Sequence, residues 1–293
     1  MMLRYVLAAL ILLAPAAASA DDRLPVVASF SIPGDMVHQI GGDAVAVTLL
    51  VGPDGDAHVY QPSPRDAKAI ADAKLVVVNG LGLEGWMDRL IRSAQFKGTI
   101  VTASAGIAPL HLAGSKTVPD PHAWQSLANG EAYVRTIAAA LEAADPAHAD
   151  EFRRRAEAYL AELAELDRWV RDEIAAVPEA KRQIITTHDA FQYFGEAYGV
   201  HFRAAVGMNE DSEPNAAGVA ELIRQIRREH IAALFIENMT DPRLVEQLAR
   251  ETGASLGGEL FADALSKPGE GGETYVAMFR NNVPRMVAAM SRN

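Results

Sequence analysis

The chain has 293 residues, 49% of them hydrophobic, which is material for one large or two medium cores, and its formal net charge of −11 argues against nucleic acid or an anionic membrane as partner. It contains no cysteine, which excludes disulfides, thiolate metal ligands and a cysteine nucleophile, and lacks the residue on which a bacterial lipoprotein is anchored.

Residues 1–20 read as a secretory signal peptide: Arg4 gives a positive start, 5–13 is an apolar run, and Ala18-Ser19-Ala20 is a small-residue cleavage site. The run is too short to cross about 30 Å of hydrocarbon. The expectation is a soluble protein beginning near Asp21, free in the periplasm and without a lipid anchor.

From Leu24 the pattern alternates strand and helix. Strands are expected at 24–30, 44–51, 75–78 and 99–102, and helices at 33–40, 64–73 and 84–93. Gly41-Gly42 ends the first helix, and the turn residues of Gly52-Pro53-Asp54-Gly55-Asp56 make a loop that runs to His58. Strands separated by helices of about ten residues imply parallel βα units. A proline-containing connector, 107–121, breaks the rhythm, and a helix at 129–143 follows.

The next stretch, 146–177, is an amphipathic helix whose apolar residues, Phe152, Ala156, Tyr159, Leu160, Leu163, Leu166, Val170, Ile174 and Val177, recur mostly three or four apart. Asp145-Pro146 should open it and Pro178 close it. Its roughly 30 residues would reach about 45 Å, more than the diameter of about 26 Å expected of a lobe of about 120 residues. It should therefore span two lobes. Beyond it the rhythm returns, with strands at 183–187, 201–206, 232–236 and 254–257, helices at 191–198, 215–228 and 242–251, and a last helix at 273–290 that Pro284 should kink or divide.

The expected fold is α/β: two βα lobes, 21–144 and 179–293, each with a mostly parallel four-stranded sheet, joined by one long rigid helix within 145–178.

Of the eight histidines, three lie where a strand has ended or a loop re-enters: His58 after the second strand, His122 in the Asp120 to Trp124 turn behind Pro119 and Pro121, and His188 closing a strand. Asp263 is embedded in apolar residues beyond the last strand, where an unpaired carboxylate is expensive. Ligands of open α/β sheets gather at the carboxyl ends of strands. Three imidazoles and one carboxylate, two from each lobe, suit a tetrahedral zinc, whereas manganese prefers more oxygen. His38, His111, His148, His201 and His230 lack a matching partner and are read as structural or surface residues.

An enzymatic alternative stays open on these residues: a zinc hydrolase with a three-histidine site and Glu210, Glu213 or Glu237 as base. In that reading Glu210 and Glu213 must leave a solvated loop, and Glu237 a strand-end turn. No nucleophile elbow, phosphate loop or dinucleotide fingerprint follows any strand.

Four motifs in combination carry a resemblance: Asp56-Ala57-His58-Val59-Tyr60-Gln61-Pro62-Ser63-Pro64-Arg65-Asp66, Asp120-Pro121-His122-Ala123-Trp124, Thr187-His188-Asp189-Ala190-Phe191-Gln192-Tyr193-Phe194 and Phe261-Ala262-Asp263-Ala264-Leu265-Ser266. On these the chain resembles the ZnuA/TroA-like metal-binding solute receptors of bacterial ABC importers, and within them the AztC type of zinc receptor. The resemblance implies one Zn(II) held by His58, His122, His188 and Asp263 between the lobes of a monomer. It also implies delivery to an inner-membrane ABC permease, a periplasmic zinc chaperone as candidate donor, and no enzymatic activity. A glutamate at the third ligand position is typical of the manganese receptors of this family, so His188 implies zinc; a manganese receptor of the same fold is the alternative. The 107–121 connector is short and holds one histidine, unlike the long His/Asp-rich loop of many zinc members.

Overall fold

The computed structural model describes residues 23–112, 115–205 and 216–293; the expected signal peptide lies outside them. In the first lobe β1 (Leu24–Ala28), α1 (Ser31–Gly41), β2 (Val45–Leu49), α2 (Pro64–Asp72), β3 (Leu75–Val78), α3 (Met87–Ser93) and β4 (Thr99–Thr102) follow in order. Then come α4 (Leu127–Ala144) and the long α5 (Ala149–Ala175). The second lobe contains β5 (Gln183–Thr186), α6 (Gln192–Tyr198), β6 (His201–Ala204), α7 (Ala216–Glu229), β7 (Leu234–Glu237), α8 (Arg243–Thr252), β8 (Leu256–Leu260) and α9 (Tyr275–Met290).

Each lobe has a four-stranded sheet, in the orders β2-β1-β3-β4 and β6-β5-β7-β8, and every pairing is parallel. The two sheets therefore repeat one topology. In both, the chain starts in the middle and reverses direction across the first strand, which puts the loops after β1 and β3, or β5 and β7, side by side at the carboxyl edge.

The helix α5 begins three residues later than Asp145-Pro146 suggests. The Asp145 carboxylate accepts from the Ala147 N–H (3.2 Å) and pairs with His148 Nδ1 (2.6 Å), closing a turn between α4 and α5. Twenty-seven residues remain, about 40 Å of helix. At one end Arg155 Nε donates to the Gln39 carbonyl of α1 (3.0 Å); at the other Arg171 Nη1 donates to the Ala197 carbonyl of α6 (3.0 Å). The spine thus fastens to both lobes.

A second helix does the same. α9 runs unbroken through Pro284 because its inner face, Tyr275, Met278, Phe279, Asn282, Val283 and Met286, is buried throughout, and this packing outweighs the backbone hydrogen bond that proline forfeits. At its start the Tyr275 N–H donates to Asp35 of α1 (2.8 Å), and just past its end Asn293 Nδ2 donates to the carbonyls of Lys181 and Gln183 (both 2.8 Å). Among the described residues no helix is long and apolar enough to cross a membrane.

Candidate metal centre

Each of the four candidate residues is carried by a segment whose backbone is held in place. His58 lies in the loop after β2. Asp56 Oδ1 accepts the His58 N–H (2.7 Å) in a local turn, and Trp86 Nε1 donates to the Ala57 carbonyl (2.8 Å). His122 sits at the head of a single 3-10 turn, Ala123–Gln125. Asn79 Nδ2 donates to the Pro121 carbonyl (2.9 Å) and the Tyr193 hydroxyl to that of Asp120 (3.0 Å), so side chains of both lobes fix this loop.

His188 follows β5 directly. Its N–H and that of Thr187 donate to Oε1 of Glu237, at the end of the neighbouring β7, at 3.2 and 2.8 Å. Asp263 follows β8. The preceding Phe261 is gripped by Asn282 of α9 through both its N–H (3.0 Å) and its carbonyl (2.7 Å).

These segments bring three ring nitrogens and one carboxylate oxygen within 4.8 Å of one another. Asp263 Oδ2 lies 3.1 Å from His58 Nε2, 3.5 Å from His122 Nε2 and 2.9 Å from His188 Nε2, and the Nε2 atoms of His58 and His122 are 3.2 Å apart. With zinc–nitrogen distances of about 2.0–2.1 Å, the edges of a tetrahedral shell are about 3.3 Å. These four distances stand near the spacing of such a shell. The side chains of His122, His188 and Asp263 are fully buried and that of His58 is 3% exposed.

The far sides of two rings are fixed by carboxylates. Asp120 Oδ1 receives both the N–H (2.9 Å) and Nδ1 (2.7 Å) of His122. Glu237 Oε2 contacts Nδ1 of His188. A proton held on Nδ1 leaves the Nε2 lone pair facing the cluster, the tautomer a metal requires.

Sequence reading named Glu237 as a base or the holder of a strand-end turn and gave Asp120 no role, so neither was read as orienting an imidazole. Asp120 was discoverable from its place two residues before His122. Glu237 was not, since only the pairing of β5 with β7 brings it to His188. Glu237 is also no open base: both of its oxygens are engaged. Glu210 and Glu213 lie outside the described residues. The other histidines stand outside the cluster; His148 pairs with Asp145.

Charge follows from this geometry. Burial opposes ionisation of Asp263, but the imidazoles of His122 and His188 outweigh it and hold the carboxyl well below the usual range. Burial also disfavours a charged imidazole, yet the charge of Asp263 and the hydrogen bond from Asp120 push His122 up to about 9. Against the same burial, Glu237 and Asp263 hold His188 well above its ordinary value. The metal-free cluster therefore keeps protons at neutral pH, and an incoming cation must displace them. Asp263 Oδ1 is buried with no hydrogen-bond partner among the described residues, so it is free to face a cation.

The family model described as zinc-uptake complex component A, periplasmic, matches residues 26–289. The manganese-binding lipoprotein MntA of Bacillus subtilis (strain 168) is 36% identical over 279 residues, covering 93% of this chain and 91% of that protein. Among solved structures, the periplasmic zinc binding protein TroA of Treponema pallidum superposes with a TM-score of 0.87 at 30% identity, covering 92% of this chain and 99% of that one. The Mn-bound periplasmic metal binding protein of Candidatus Liberibacter asiaticus gives a TM-score of 0.83 at 32% identity, covering 92% and 100%.

One expectation is corrected here. MntA is named as a lipoprotein, which overturns the reading of a freely periplasmic protein without a lipid anchor. That reading rested on the absence of one residue type, whereas the relative matches over more than nine tenths of the chain. The hydrolase alternative falls as well, because the relatives are substrate-binding receptors and not enzymes.

Proposed function

We propose, from the premise that this chain belongs to the ZnuA family of metal-binding receptors of ABC importers, that its cargo is one Zn(II) ion bound by His58, His122, His188 and Asp263. The family implies an associated membrane permease as the recipient. The observation that carries the reading is the convergence of three imidazole nitrogens and one carboxylate oxygen within 4.8 Å of one another in a buried site. Two of the three imidazoles are oriented by carboxylates.

Zinc is favoured by the donor set, since three neutral nitrogens and one oxygen match its tetrahedral preference. A second reading, manganese, is favoured by a specific atom: the unpartnered Oδ1 of Asp263 can supply a second oxygen and raise the coordination number. MntA of Bacillus subtilis is named for manganese and TroA for zinc, so relatives support each.

Competition of zinc and manganese for the full chain against a chelator of known affinity, repeated with Asp263→Ala, tests the assignment. The expected outcome is one zinc site, manganese at least about a hundredfold weaker as the donor set implies, and loss of zinc binding in the variant. Manganese binding as tight as zinc would overturn the selectivity, and undiminished zinc binding by Asp263→Ala would remove Asp263 from the ligand set.

A further inference from the structure

Beside the ligand cluster, one residue outside it joins two of the segments that carry ligands, and the strand end that carries Glu237. Asp54 lies in the loop after β2, four residues before His58, with a left-handed φ of 58° that few residues other than glycine adopt. Its backbone N–H donates to the carbonyl of Leu265 (3.0 Å), two residues past Asp263. Its Oδ1 accepts from Asn238 Nδ2 (2.8 Å), next to the Glu237 that orients His188, and its Oδ2 accepts from Lys267 Nζ (2.8 Å).

The 262–267 segment is fastened to the first lobe on both sides of Asp263. Trp124 Nε1 and Gln125 Nε2 both donate to the Ala262 carbonyl (2.9 Å each), and the Leu265 N–H donates to Ser31 Oγ (2.9 Å). Asp263 follows β8 in the chain yet is tied to the lobe that carries His58 and His122. His188 stands on the sheet of the second lobe through Glu237. The Asn238 to Asp54 bond links that sheet to the His58 loop.

We infer that Asp54 is a positioning residue of the metal centre: it ties the His58 loop to the Asp263 segment and to the end of β7, and so governs how slowly the ion leaves. The inference rests on the receptor reading above. Its bonds run between two ligand-bearing segments and the strand end that orients His188, and touch no ligand atom. Their loss should therefore act on release, when those segments separate, and leave capture nearly unchanged.

The test is release of zinc from the loaded full chain into excess chelator, followed by stopped flow, with capture measured in parallel. Asp54→Ala removes two side-chain acceptor bonds and should speed release roughly tenfold while capture changes less than about twofold. Asp54→Asn keeps an acceptor for Asn238 and should recover most of the slow release. Lys267→Met alters a side chain that is 65% exposed, which leaves the fold intact, and should speed release about twofold. Wild-type release rates in both Asp54→Ala and Lys267→Met would overturn the inference, as would slowed capture with unchanged release. If the wild-type chain takes up neither zinc nor manganese, the receptor reading falls together with this one. A wild type that binds, beside an Asp54→Ala that releases no faster, overturns this inference alone.

Discussion

The two lobes share a strand order but not a core. In the first, both faces of the sheet, with Val26, Val27, Val76 and Val77, belong to one hydrophobic core that continues through α4, α5 and α9. In the second, one face joins that core through Ile184 and Phe235, while the other builds a separate small core from Ile185, Leu222, Ile226, Ile231, Leu234, Val245 and Leu248, beneath α7 and α8. Equal topology thus gives unequal attachment: the α7–α8 layer rests on a core of its own, whereas the buried apolar residues of the first lobe share the core that holds the spine. The candidate metal centre bridges this asymmetry, since His188 follows a strand of the sheet on which the separate layer rests.

The largest expected effects set the two lobes' orienting carboxylates against each other. Asp120→Ala in the first lobe and Glu237→Ala in the second should each lower zinc affinity about 10–100-fold, the usual cost of losing the partner of a metal-bound histidine. Truncating His122 or His188 should cost more still, and the two losses should be comparable because both rings are fully buried and both are held by a carboxylate. The loop that carries His122 is bonded at Asp120 and Pro121, as the strand end that carries His188 is bonded to Glu237. Isothermal titration of the four variants checks it, and a tenfold gap between the two histidine variants would break the parity.

Next is a paired cut in the two cores. Leu166→Ala in α5 and Leu248→Ala in α8 each remove a fully buried leucine and should each cost about 2–5 kcal/mol locally. Hydrogen exchange should separate them: Leu166→Ala speeds exchange in both lobes, Leu248→Ala in α7 and α8 while α5 stays protected. Equal acceleration in α5 would show that the small core is not independent.

The smallest effect is one of pH. The folded-state pKa of His122 is raised above its ordinary 6.5 to about 9, so its contribution to the stability of the metal-free protein is complete below about 6.5 and is lost as pH rises through about 9. Metal affinity runs the other way over the same window, since the ion displaces that proton. Melting temperatures of the metal-free and zinc-loaded protein should therefore diverge between pH 6.5 and 9. Parallel curves would remove the proton from the site.

Much of this was legible from the order of residues. Apolar runs, helix faces and turn residues put all eight strands in place with ends that differ by a few residues. The four candidate ligands were legible because each lies in a recognisable motif, three of them just beyond a strand and His122 in the turn that ends the 107–121 connector. The shared role of α9 was not, because the periodicity of a helix tells which face is buried and not against which lobe. The late start of α5 was hidden too: Asp145 caps a turn rather than the helix, and both uses look alike in sequence.

What the sequence determined by itself is local: the alternation of strand and helix, the long amphipathic spine, and the chemistry of three imidazoles and a carboxylate at strand ends. Only the tertiary structure decided that Glu237 orients His188, that the Asp263 segment is fastened to the first lobe, and that the second lobe carries a separate core. The first two depend on groups 49 to 234 residues apart meeting at hydrogen-bond distance, as in the His188 to Glu237 and Ser31 to Leu265 pairs, and the third on apolar side chains of separate strands and helices packing together. Strand pairing and lobe packing set such distances, and periodicity along the chain carries no record of them.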